Sequence, residues 1–187
     1  MNALVREAGI SKGSLFQYFR TKLDLFDSLL SLATDHVKRY LRKTRDSTEG
    51  QPLTNRLSSL IMAGFDFIDT HPQLAKIYFR QLQVGDTPFG AKRLRLLYQQ
   101  SIDFLTRLLE TAHDKGEIRS DTDIRRCAFL LHGLMQHLLN AYYTEHVDSG
   151  LGLYQGPKRE LKEWVHTMVQ LVSHGIVNQV HPREIEQ

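Results

Sequence analysis

Between Ser11 and Lys22 the chain sets hydrogen-bonding and cationic side chains beside a short apolar stripe. Leu15 and Phe19, four apart, share one face of a helix, and Lys12, Ser14, Gln17 and Tyr18 fall outside that face. Hydroxyl, amide and ammonium groups gathered on one short helix suit a polar, anionic surface. Lys22 sharpens the point. It falls at the first turn of the following helix, where a cation opposes the helix dipole, and a nearby anion such as a phosphate would relieve that cost.

These residues need a particular frame. Gly9 closes a short helical stretch and can take the left-handed conformation that ends a helix. Ser11 is placed to cap the next helix, and Thr21 the one after it. Two short helices joined by a tight turn have the shape of a helix-turn-helix reader of DNA.

Charge agrees with this placement. Residues 1–45 carry nine Lys and Arg against Glu7, Asp24, Asp27 and Asp35, a net +5, and the remainder of the +3 chain sums to −2. A basic end on a near-neutral body is the footprint of a nucleic-acid partner. The run from Lys38 to Arg45 reads equally well as a solvated helix face. With 187 residues, 41% of them apolar and 24% charged, the chain can bury a sizeable core as one domain or as a small module plus a domain. One cysteine, Cys127, excludes an internal disulfide. No apolar run reaches membrane-span length and no basic-then-apolar leader opens the chain, so a cytoplasmic protein without a membrane partner is expected.

The rest of the chain is periodic near 3.6, which predicts an all-α fold. A long helix is expected from Lys22 to about Arg45 with Leu25, Leu29, Leu32 and Val37 inward, then helices over Leu53–Asp69, Pro72–Leu82 and Phe89–Lys115. Residues 85–88 read as a loop. Asp121 or Thr122 is expected to cap a helix reaching about Val147, residues 148–156 to form a mobile connection, and Pro157 to open a last helix ending near Gln179, before a polar tail from His181. The last two long helices carry stripes wider than one neighbour requires. A second copy of the chain would cover the surplus, giving a four-helix dimer interface through Leu131, Met135, Leu138, Tyr142, Trp164, Met168, Leu171 and Val172. Leu130, Leu139 and Tyr143 widen the first stripe, and Val177 ends the second.

Over Leu4 to Phe26 the chain resembles the TetR family of bacterial transcriptional regulators: Leu-Val-Arg-Glu-Ala-Gly-Ile-Ser-Lys-Gly-Ser-Leu-Phe-Gln-Tyr-Phe, then Thr-Lys-Leu-Asp-Leu-Phe. The remaining residues agree with it in architecture. The resemblance implies a helix-turn-helix module over residues 1–26 and a helical ligand-binding and dimerisation domain over residues 27–187. It further implies a homodimer that represses transcription from a palindromic double-stranded DNA operator and responds to a small-molecule effector. Unliganded readers would sit about one helical turn, 34–36 Å, apart, and ligand would favour a different spacing, transmitted by the helix from Lys22.

Carried over by position, Lys12 and Gly13 match the close approach to DNA, Ser14 and Gln17 face base edges or phosphates, and Tyr18 and Lys22 meet the backbone. Leu15 and Phe19 match core positions of the reader. Gly13 also has a reason of its own, since a side chain there could hold the backbone away from DNA. The family places a further helix before this motif. Its absence here would expose Leu4, Leu15, Phe16 and Phe19 and leave this chain binding DNA weakly or not at all. A start codon placed late, a shortened chain and genuine loss all account for it; an upstream segment is preferred. The alternative function is a helical ligand-binding or interaction protein that has lost DNA binding through N-terminal truncation.

Phe65, Phe67, Tyr78, Phe79, Tyr98, Phe104 and Phe129 could line an effector cavity, with Arg80, Arg107 and His132 as polar anchors. The ligand set is Phe65, Tyr78, Tyr98, Phe104, Arg107 and His132. No enzyme activity, cofactor or metal is expected. His132 and His137, five apart, diverge on a helix, and His166 and His174 stand about 12 Å apart along one. Cys127 lies in an apolar stripe, and neither a strained nucleophile turn nor a phosphate-cradling glycine loop occurs.

Overall fold

In the computed structural model, which describes residues 2–83 and 88–176 (side chains for 5–80, 91–92 and 94–176), every regular element is a helix. In chain order these are α1 (Asn2–Glu7), α2 (Lys12–Tyr18), α3 (Lys22–Ser47), α4 (Leu53–Thr70), α5 (Pro72–Gln83), α6 (Pro88–Asp114), α7 (Ile124–Tyr143), α8 (Glu145–Asp148) and α9 (Lys158–Ile176). Residues 84–87, Val177 and the tail from His181 lie outside the described residues.

A reciprocal capping box starts α3. The Thr21 hydroxyl accepts the Asp24 N–H at 3.0 Å, and the Asp24 carboxylate accepts the Thr21 N–H at 2.9 Å. Two orphan donors are satisfied, and an acid in the first turn offsets the dipole cost of Lys22. The inward face of α3 sits one position on from the expected one: Leu30 and Ala33 are buried, whereas Leu29 and Leu32 are exposed. Val37, Tyr40 and Leu41 continue that face against the core.

Helix α4 is the centre of the body and packs against α3, α5, α7 and α9. Leu53, Leu57, Leu60, Ile61 and Phe65 are almost wholly excluded from solvent. Such positions typically cost about 2–5 kcal/mol each when cut to alanine. Pro52 offers α4 no side-chain cap. The Glu117 carboxylate, from the turn after α6, instead accepts the Leu53 N–H at 2.6 Å. Leu105, Leu108, Leu109, Ile118, Leu161 and Val165 complete the core from α6, its following turn and α9.

The start of α7 is capped by Asp123, whose carboxylate accepts the Arg126 N–H at 3.0 Å. Asp121, one of the two expected caps, is engaged by Arg119 at 3.0 and 3.1 Å. Thr144 then ends α7, and the one-turn α8 replaces the expected continuation to Val147. The connection after α8 is built rather than loose. Asp148 is buried, and its carboxylate accepts the N–H groups of Gly152 at 3.1 Å and Leu153 at 2.7 Å. Gly150 and Gly152 supply positive φ there, and Leu153 inserts into the core.

Candidate nucleic-acid reader and effector chamber

Gly9 takes φ +64° between α1 and α2, as its place between two short helices requires. The Ser11 hydroxyl then accepts the Ser14 N–H at 2.9 Å and lies 2.8 Å from the Ser14 hydroxyl. Phe19 closes α2 through its N–H to the Leu15 carbonyl at 3.0 Å. Leu15 is buried and Phe19 half-buried, while Phe16 is 41% exposed. The expected exposure therefore holds for Phe16, and Leu15 is covered; the Leu4 side chain lies outside the described residues.

Lys12, Gly13, Ser14, Gln17, Tyr18 and Lys22 are all exposed, Tyr18 at 81%. Nothing among the described residues needs Gly13 to be glycine. A Cβ there would meet only the Ser11 hydroxyl at an ordinary 3.7 Å, and glycine in a helix costs about 1 kcal/mol relative to alanine. The side chain is missing at a position that faces outward.

A cavity of about 480 Å³ opens between α3, α4, α5, α6 and α7. Of the expected ligand residues, Tyr78, Phe104, Arg107 and His132 line it, joined by Phe67 and Phe79. Phe65 does not: it is buried on the neighbouring face of α4, edge-on to Tyr142 with ring centroids 5.1 Å apart. Tyr98 stays outside the wall and meets the back of His132 at 5.3 Å. Phe129 is exposed on α7, and Arg80 is exposed on α5 away from the wall. Gly64 lets α7 approach α4, since a Cβ there would meet the Leu139 side chain at 2.8 Å.

The chamber is apolar with a few placed polar groups, the usual make-up of a ligand site. The Tyr78 hydroxyl donates to Gln136 Oε1 at 3.1 Å, which leaves the buried Gln136 Nε2 without a partner. Burial raises the Tyr78 phenol well above its ordinary range, so it remains a donor, and burial lowers the His132 imidazole, keeping it neutral. Lys38, Arg42 and Arg45 of α3 also line this space. The basic run is thus divided: these three turn toward the cavity, whereas Arg39 and Lys43 are exposed outside it.

The outer faces of α7 and α9 differ from the expected interface. Leu131, Leu138, Tyr142 and Met168 are buried in the chain's own core, and Met135 lines the chamber. Trp164 and Val172 are half-buried. The apolar residues left uncovered are Phe129, Leu130 and Leu134 on α7 and Leu171 on α9. Stripe width alone had merged the inner and outer edges of these helices.

Residues 1–29 match the family model "Bacterial regulatory proteins, tetR family". The chain is 30% identical over 96 residues to the HTH-type transcriptional activator FasR of Mycolicibacterium smegmatis, a match covering 49% of this chain and 41% of FasR. It thus spans about two fifths of the length of that relative. It is also 19% identical over 140 residues to the nucleoid occlusion factor SlmA of a Marinomonas species, covering 75% of this chain and 70% of SlmA. Among solved structures, a TetR family transcriptional regulator from Chloroflexus aurantiacus shares 25% identity with a TM-score of 0.69, covering 96% of this chain and 84% of that one. The N-terminal residues thus match the model for bacterial regulatory proteins of the tetR family, and the chain across reader and body is similar in fold to a TetR family regulator.

Proposed function

We propose that the protein is a ligand-responsive, DNA-binding transcriptional regulator that represses from a palindromic operator as a homodimer. The observation that carries this reading is the exposed row of Lys12, Gly13, Ser14, Gln17, Tyr18 and Lys22 on a capped helix-turn-helix whose Leu15 is anchored inward. In this reading residues 1–26 are the reader and 27–187 the effector and dimer body, and the two share α3. The dimer forms through the uncovered apolar edge of α7 and α9, at Phe129, Leu130, Leu134 and Leu171. Ligand in the chamber favours a reader spacing that misses the operator.

The test is DNA binding by the full chain, followed by anisotropy across a salt series with duplexes selected from a random pool. Lys22→Ala should weaken all sequences alike and lower the salt slope by about one, whereas Gln17→Ala should relax preference at one base pair, at a cost of about 1–3 kcal/mol. Equal loss of specificity from both changes would contradict the assigned roles. Ligand binding with no salt-dependent DNA binding would favour the alternative, a helical ligand-binding protein. A Leu134→Glu chain that still sediments as a dimer would remove the assigned interface. FasR is named an activator, so a reporter fused to the selected operator reads the sign of regulation.

A further inference from the structure

Beside the chamber lies a second, polar cleft of about 320 Å³, and Arg45, Phe104 and Arg107 line both spaces. The cleft adds Arg56 and Lys115. Arg56 is the telling residue. It sits on the apolar face of α4, one turn after Leu53, and is only 5% exposed. Among the described residues it makes no ion pair, and its Nε is buried with no hydrogen-bond partner. A buried guanidinium N–H left without an acceptor is costly, and an entering anion would relieve that cost.

The surroundings favour an anion too. Of the carboxylates facing the cleft, Asp46 is already held by Arg45 at 2.7 Å, which leaves Glu49 against Arg56, Arg107 and Lys115. Across the shared wall, the chamber adds Arg42, and Lys38 that pairs loosely with Asp35 at 3.9 Å, against the carboxylate of Asp103. An apolar space therefore ends in a cluster of cations, one of them buried with its Nε unpartnered.

We infer that the cleft holds the oxyanion head, carboxylate or phosphate, of an effector whose apolar body fills the chamber. The inference rests on the chamber being the effector site. Guanidinium groups suit both heads, because each offers paired donors to two oxygens.

The full chain is titrated calorimetrically with dodecanol, dodecanoate, dodecyl phosphate and inorganic phosphate, all below micellar concentrations. The two amphipathic anions should bind at least about tenfold more tightly than the alcohol, and the tighter of the two identifies the head. Lys115→Gln, at an exposed position, should shrink that advantage. Arg56→Gln should abolish it, with thermal melts confirming that the variant folds. Alcohol and anions binding equally to the native chain would overturn the inference while sparing the chamber as an apolar site. No binding by any of the three twelve-carbon probes would overturn both. Inorganic phosphate binding as tightly as dodecyl phosphate would make the cleft a separate anion site and sever it from the chamber.

Discussion

The Glu117 carboxylate accepts the Leu53 N–H at 2.6 Å, tying the turn after α6 to the first turn of α4 across 64 residues of chain. It does the work of an N-cap that Pro52 cannot do, and it brings negative charge to the positive end of the central helix. Glu117→Ala should therefore cost about 1–2 kcal/mol, lowering Tm by roughly 2–8 °C in a chain of this size. Glu117→Gln, which keeps an acceptor without the charge, should lose less. Thermal melts of both variants check the ordering.

Gly13 separates internal from external demands on the reader. Its Cβ would meet no close neighbour, so Gly13→Ala should leave stability unchanged or raise it by up to about 1 kcal/mol. The same change should weaken operator binding. Equal affinity for DNA in the two proteins would mean that the missing side chain serves no close approach.

Gly64→Ala should act on packing and chamber together. The new methyl group would meet Leu139 Cδ2 at 2.8 Å and Cδ1 at 3.0 Å, and Leu139 lines the cavity. Overpacking of this kind costs about 1–3 kcal/mol, and a Leu139 that yields toward the cavity narrows it. Lower Tm with weaker dodecanol binding is the expected pair of results. Neither changing would show that α4 and α7 separate freely.

Acid should destabilise the fold. Burial holds the His132 imidazole below its ordinary value of 6.5, and desolvation, then Arg39 and His71, hold His36 down as well. The unfolded chain then takes up more protons than the folded one as pH falls through about 6.5. The stability is present above that value and is lost below it. Melts between about pH 7.5 and 5.5 should show a falling Tm, and His132→Gln should flatten the slope; an unchanged slope would place the titration elsewhere.

How much of this was legible depended on how many residues each helix buries. Nine of the eighteen residues of α4 are buried, so only one helical frame fits its pattern, and Leu57, Leu60, Ile61 and Phe65 could be placed inward from periodicity. Helix α3 buries only Leu30 and Ala33. Leucines at 25, 29 and 32 offered a competing frame one position away, and the outward frame was the one that stood out. In α7 and α9 the apolar arcs serve core and surface at once, and spacing cannot divide them. Tertiary packing assigns Leu131 to the inside and Leu130 to the outside.

Local capping chemistry made the reader legible. Ser11 and Thr21 cap as their types and positions require, and both caps are short-range. The chamber was half legible: Tyr78, Phe104, Arg107 and His132 line it, whereas Phe65 and Phe67, two apart on one helix, exchange places. Arg56 was missed, although its signal was available. An arginine at the fourth position of Leu53-x-x-Arg56-Leu57-x-x-Leu60 lies on the apolar stripe itself, which marks a cation destined for burial.

Helix α3 contains neither glycine nor proline between Lys22 and Ser47. It is a stiff rod whose far half touches the cavity and whose near end follows the helix-turn-helix that is proposed to read DNA. From Arg42 back to Lys22 it measures about 30 Å at 1.5 Å per residue, so a tilt of roughly 5° sweeps the near end by about 2.6 Å, close to the 3.4 Å step between stacked nucleotides. Under the proposed function, mechanical advantage of this size would turn a side-chain-sized adjustment at one end into a misfit of nearly one rung of the double helix at the other.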